Sequence, residues 1–281
     1  MGYCFMMMTA LLFSCSSDDD NTQQDDSNGR CMRQLTISNV KMNTRAAIDP
    51  TAYTATWEIT DRPTYINLSL LSAELRYGTL TPSTAGTSTT LTGSVYCGVG
   101  DNIAIILPNV TPVLPSGESA YYPVDLRGQK GTLADIGARY HYIYGEGKVV
   151  SVDGGTATGS ITNTKSLLSL CKFTFTNGGK PVNVKSVQIG WGTDGATGYP
   201  QTGTVSLADP ENVSAEAGSS DGPLTITLDE TNSAGVVYVA LFPCDKLTFH
   251  FTVSDGTNTY TATKNAKMLA GKYYEVPVTV N

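Results

Sequence analysis

The chain has 281 residues and a formal net charge of −7, with 18 Lys and Arg against 25 Asp and Glu. That balance offers no basic patch and excludes a nucleic-acid binder that works by neutralising phosphates. Only 15% of residues are charged; Thr, Ser, Gly and Val are abundant and no helical apolar period is sustained, so the material is strand and turn and the length suits two all-β domains.

Residues 1–14 are mostly apolar but too few to span a bilayer as a helix, which takes about 20, and they read as a signal segment. The segment runs into Leu12-Phe13-Ser14-Cys15, which resembles the bacterial lipobox, where the Cys thiol is acylated and becomes the mature N-terminus. No Lys or Arg precedes Cys15, so the true start is expected upstream. Several acyl chains anchor a protein stably where one does not, and the precursor is expected at the membrane. Residues 15–33 carry Asp18, Asp19, Asp20, Asp25 and Asp26 and too little apolar surface for a core, so they read as an acidic tether. Acidic residues just after a lipidated Cys also resemble the export tag that sends some lipoproteins to the outer face of the outer membrane.

The first strand is expected over 34–42. Leu35 and Ile37 share one face, and the pattern then slips by a residue to Val40 and Met42, which predicts a bulge. Burying four such side chains at about 1.5–3 kcal/mol each stabilises by roughly 6–12 kcal/mol, the order of a domain's whole net stability of about 5–15 kcal/mol. A chain that lost this strand would need a replacement.

Further strands are expected around Trp57, over 65–70, 91–96 and 103–107, with Gly and Pro at hairpin spacing. Residues 132–138 are the one place where a helical turn fits. Tyr140, Tyr142 and Tyr144 alternate with His141 and Ile143 and read as a strand; Asp153-Gly154-Gly155 signals a tight turn. A domain boundary is expected near Asn163, dividing 34–163 from 164–281. The second half repeats the pattern with Cys171, Phe173 and Phe175, with Leu224, Ile226 and Leu228, and with Leu247, Phe249, Phe251 and Val253. An apolar run at 236–242 ends at Pro243 much as 103–107 ends at Pro108, a weak internal echo. In the last strand Tyr274, Val276, Val278 and Val280 share a face. Pro277 has no N–H for a ladder, which predicts a sheet edge open to another chain.

Cys31, Cys97, Cys171 and Cys244 show no metal-ligand spacing and read as buried structural thiols, with a Cys171–Cys244 bridge the alternative. His141 and His250 lie in strand patterns, no nucleophile, zinc or phosphate-loop motif occurs, and neither an enzyme nor a cofactor is expected. Trp191, in a Gly-rich turn beside Asp194, admits a sugar-stacking reading; turn glycines explain the segment more simply, and Trp57 reads as core.

Taken together, the Cys15 motif, Asn43-Thr44-Arg45-Ala46 followed by Trp57, the tyrosines and turn at 140–147, Tyr238-Val239-Ala240-Leu241-Phe242-Pro243 and Leu269-Ala270-Gly271-Lys272-Tyr273-Tyr274 resemble the fimbrillins, lipoprotein-derived pilus subunits and adhesins of Gram-negative anaerobes. The resemblance covers nearly the whole chain. It implies two tandem transthyretin-like β-sandwiches, cleavage between Arg45 and Ala46 by an arginine-specific protease, and assembly with sibling subunits by donor-strand exchange at the cell surface. Because the chain stops directly after its last alternating strand, that strand is expected to be the donated one, or the protein to be a tip or anchor subunit. The receptor is not implied. The competing expectation is a surface lipoprotein that binds glycans without polymerising, using Trp191.

Overall fold

A computed structural model describes residues 26–42, 56–70, 76–113, 121–192, 198–215 and 222–281. The protein is all-β. In the first half the strands are β1 (Cys31–Lys41), β2 (Thr64–Asn67), β3 (Tyr77–Thr79), β4 (Thr81–Pro82) and β5 (Ser88–Cys97). They are followed by β6 (Asn102–Leu107), β7 (Tyr121–Asp125), β8 (Ile143–Asp153) and β9 (Thr156–Ser166). The second half holds β10 (Ser169–Asn177), β11 (Lys180–Pro181), β12 (Val184–Gly192), β13 (Thr202–Ser206) and β14 (Asp209–Ala215). It ends with β15 (Leu224–Asn232), β16 (Val236–Leu241), β17 (Cys244–Ser254), β18 (Thr259–Met268) and β19 (Tyr273–Thr279).

Eight strands form one sheet in the order β3-β2-β6-β8-β9-β1-β5-β4. Its two edge strands are separated in sequence by Leu80 alone, so the sheet curls until its edges meet. The inward face carries one core, with Leu35, Ile37, Val40, Trp57, Leu91, Val95 and Ile105 among its members. Strand β6 is buried on both faces: Ile103 and Ile105 enter this core, while Ala104 and Ile106 enter a second. That explains a continuous apolar run where a half-buried strand would alternate.

The second core is built where β10, β16 and β19 face β12, β15 and β17. Phe173 and Phe251 meet edge to face at 5.0 Å, and Phe175 meets Phe251 at 5.7 Å, joining the two layers of a sandwich.

The connection between β6 and β8 does not stay with the first sheet. Its strand β7 pairs with β13 of the second half. Beyond it Gln129, fully buried, donates to the carbonyls of Leu126 and Ala240 at 3.0 Å each and accepts from the Ala240 N–H at 2.8 Å. Gly131 follows at φ +72, and a Cβ there would stand 2.9 Å from Val237. The backbone therefore passes where only glycine fits. A helical turn comes next, α1 (Leu133–Asp135), capped by Thr132, whose hydroxyl accepts from the Asp135 N–H at 3.2 Å.

Here the tyrosine alternation departs from the strand expected of it. Tyr140 ends a π-helical turn (Ile136–Tyr140), Tyr142 is in irregular backbone, and only Tyr144 lies in β8. All three are buried, and two fasten the crossing segment: Tyr140 donates to the Arg127 carbonyl at 2.6 Å, and the Tyr142 hydroxyl accepts from the Asp125 N–H at 3.0 Å. Strand β9 runs through 163 to Ser166 before the chain turns at Leu167 and Leu168 into β10.

Each half places its first strand parallel to its last. Strand β1 lies parallel to β9, and β10 lies parallel to β19. The internal echo of the sequence thus has a topological counterpart.

Candidate functional site

Strand β1 lies in the interior of the eight-stranded sheet, antiparallel to β5 and parallel to β9. Leu35, Ile37 and Val40 are 0% exposed and Met42 is 7% exposed. Between Ile37 and Val40 the register with β5 shifts, and Asn39 takes φ 57, a left-handed conformation that Asn tolerates better than most residues. That extra residue turns the 35/37 face into the 40/42 face.

Glycines on both sides make room for these side chains. Leu35 stands opposite Gly93 of β5, and Ile37 stands beside Gly159 of β9. A Cβ at Gly159 would lie 3.2 Å from Ile37 and 3.3 Å from Leu35 and Ile103. Two further bonds hold the exit of the strand: the Trp57 indole N–H donates to the Val40 carbonyl at 3.0 Å, and the Thr164 hydroxyl donates to the Lys41 carbonyl at 3.1 Å.

The entry of the strand is held by a polar clasp. Asp101, 4% exposed, accepts from Arg30 Nε at 3.0 and 2.9 Å and from Nη2 at 2.7 Å. It also accepts from the Asn67 amide at 2.9 Å and the Gly98 N–H at 3.0 Å. Burial alone would push the Asp101 carboxyl up, but the bonds from Arg30, Asn67 and Gly98 and the Arg30 charge hold it below its ordinary value. Arg33, also 4% exposed, donates from Nε to the Gly154 carbonyl at 3.0 Å and from Nη1 to the Gly29 carbonyl at 3.2 Å and to that of Cys97. Asp26 accepts from the Arg30 N–H at 2.9 Å and from the Tyr96 hydroxyl at 3.1 Å.

These clasp residues were missed from sequence. Arg30 and Arg33 fell within the expected tether, yet β1 begins at Cys31, three residues before its expected start at Gln34, and residues 26–30 form a turn bonded to the sheet. The available signal was Asp101 directly after Gly98-Val99-Gly100, a turn that holds a carboxylate at the end of β5, opposite the start of β1.

Among the described residues, strand β19 pairs only with β10. Val278 and Val280 are buried, Tyr274 and Val276 are half-buried against the second core, and Pro277 is exposed on the opposite face. Asn281 then exchanges two backbone hydrogen bonds, each 3.1 Å, with Thr261 of β18. Cys15, Arg45 and Ala46 lie outside the described residues, as do the signal segment and most of the tether.

The other singled-out residues are packed. Trp191 is half-buried, its ring 4.7 Å from that of Tyr199 and 6.3 Å from that of Phe249. Trp57 is core, as expected. Cys31, Cys97 and Cys171 are buried and Cys244 half-buried, all as thiols; Cys171 Sγ lies 3.4 Å from Met268 Sδ. Among the described residues no group of three His, Cys, Asp or Glu is placed to hold a metal ion.

No family model matches the chain, and no curated protein matches it by sequence. Among solved structures, a proposed cell adhesion protein of Bacteroides uniformis is similar with a TM-score of 0.54 and 12% identity, over 92% of this chain and 98% of that one. At that identity the likeness is one of fold: the two chains share an all-β architecture over nearly their whole lengths. Looser likenesses are a fimbrial protein of Bacteroides ovatus (TM-score 0.40, 11% identity, 90% of this chain and 49% of that one) and the C-terminally truncated tip fimbrial protein Mfa3 of Porphyromonas gingivalis (0.42, 8%, 88% and 94%).

Proposed function

We propose that this fimbrillin-like chain is a non-enzymatic structural subunit of a surface fimbria or a related adhesin, built as two tandem transthyretin-like sandwiches. It is exported as a lipoprotein acylated at Cys15 and anchored in the outer membrane, then cut after Arg45. Removal of β1 opens a slot that a strand from a sibling subunit fills. The observation that supports this reading is the position of β1: the first strand among the described residues occupies the interior of a sheet, with its apolar face buried.

Removing it would leave two facing strand edges, β5 and β9, and an apolar groove between them, a state that an aqueous medium strongly disfavours. A replacement has to repeat the spacing of Leu35, Ile37, Val40 and Met42 and, because Asp101 is buried as an anion, bring a cation to its entry. The competing glycan reading draws less support, since Trp191 is half-buried with its ring against Tyr199 and Phe249.

The test is limited digestion of the purified precursor with an arginine-specific protease. A mature N-terminus at Ala46 accompanied by a ladder of multimers, both abolished by Arg45→Gln, is the expected result. Clean cleavage at Arg45 that leaves a stable monomer refutes the exchange reading.

A further inference from the structure

Cys31 opens β1 and Cys97 closes β5, and the two are direct partners in the antiparallel register. Directly opposed residues point to the same face, with Cα atoms about 4.5 or 5.5 Å apart depending on the pair type. Both values fall within the roughly 4.4–6.8 Å that a disulfide spans. Both residues are in the thiol form, at 4% and 0% exposure, on the face that carries Arg33, Leu35 and Val95. Neither Cys171 nor Cys244 shares this core; both belong to the second. A pair of opposed cysteines linking β1 to its neighbour β5 is therefore a modification site in waiting.

We infer that Cys31 and Cys97 form a cross-strand disulfide when the chain folds under oxidising conditions, covalently stapling β1 to β5. The two thiols lose their hydrogens and join, while a protein or low-molecular-weight disulfide takes up the two electrons and two protons and leaves as two thiols. Exported proteins meet such oxidants. In the finished fold, burial pushes the Cys97 thiol up to about 11, which leaves little thiolate to attack an external disulfide. The bond accordingly forms during folding, before the strands close, and the same burial later shields it from reductants.

The staple has a consequence that rests on the strand-exchange reading. A cut after Arg45 would then leave β1 attached through sulfur, and reduction becomes a second requirement for opening the slot. The bond itself does not depend on that reading, and its test reads no assembly.

The full-length chain is unfolded in reductant, refolded in mixed oxidised and reduced glutathione, alkylated and digested with trypsin without reduction. Cuts after Arg30 and Arg33 isolate residues 31–33. The expected product is that tripeptide joined to the fragment holding Cys97, lighter than their sum by two hydrogens. Cys97→Ser removes it and Cys171→Ser does not. The oxidised wild type unfolds at a higher temperature than the reduced form because a long loop is closed, and Cys97→Ser shows no such redox dependence. Recovery of residues 31–33 alkylated, or joined to a fragment holding Cys171 or Cys244, overturns the inference.

Discussion

Replacing Asp101 with Ala tests the clasp that seats β1. The carboxylate is 4% exposed and receives the Arg30 guanidinium through two nitrogens, together with Asn67 and the Gly98 N–H. Truncation leaves a guanidinium, an amide and a backbone N–H without their acceptor. Breaking a buried ion pair from one side costs about 3–5 kcal/mol. The Arg30 side chain is 19% exposed and recovers part of that from water, so a loss on the order of 2–4 kcal/mol is expected. With a slope near the upper end for urea, about 3 kcal/mol per molar, the unfolding midpoint falls by roughly 1 M. The clasp also has a pH signature. Asp101 is held below its ordinary value in the fold, so its contribution is complete above an unfolded value of about 4 and is lost as pH falls through the lower folded value. Urea titrations followed by Trp fluorescence at neutral and acid pH should show wild type losing more stability on acidification than Asp101→Ala. A variant within about 0.5 kcal/mol of wild type at neutral pH, the range of an ordinary surface change, or one with an unchanged acid slope, would show that the clasp does not hold the strand.

Three other substitutions probe the slot and the joint between the halves. Ile37→Ala empties a fully buried position flanked by Gly159 and should cost about 3–4 kcal/mol in thermal or chemical unfolding. Gly159→Ala puts a methyl 3.2–3.3 Å from Ile37, Leu35 and Ile103 and should destabilise by about 1–2 kcal/mol; paired with Ile37→Ala, which removes the Cγ1 that the new methyl meets, the two losses should fall short of additive. Gln129→Leu strips the buried Ala240 N–H and carbonyl of their partners and should cost about 2–4 kcal/mol in urea, with faster amide exchange at Ala240 as the local readout.

What the residues determine by themselves is local. Alternation at Leu35 and Ile37, its slip to Val40 and Met42, the Pro277 that cannot serve a central ladder, and the helical turn after Thr132 are all written in spacing and side-chain chemistry, and each has its counterpart in the structure. Period-two patterning records which face of a strand meets apolar surroundings; it carries no information about which strand lies alongside. Hence the parallel pairing of β1 with β9, the passage of β7 into the other half, and the departure of Tyr140 from its strand pattern were set only by contacts distant in sequence. Arg30 and Asp101, 71 positions apart, are the clearest case. A polar residue before a strand looks like tether until the fold brings it a buried counter-charge, and burial of an ion pair is a property of two chain segments together. The composition decided that this would be a β-protein; folding decided that its first strand would be held at both ends in the middle of a sheet.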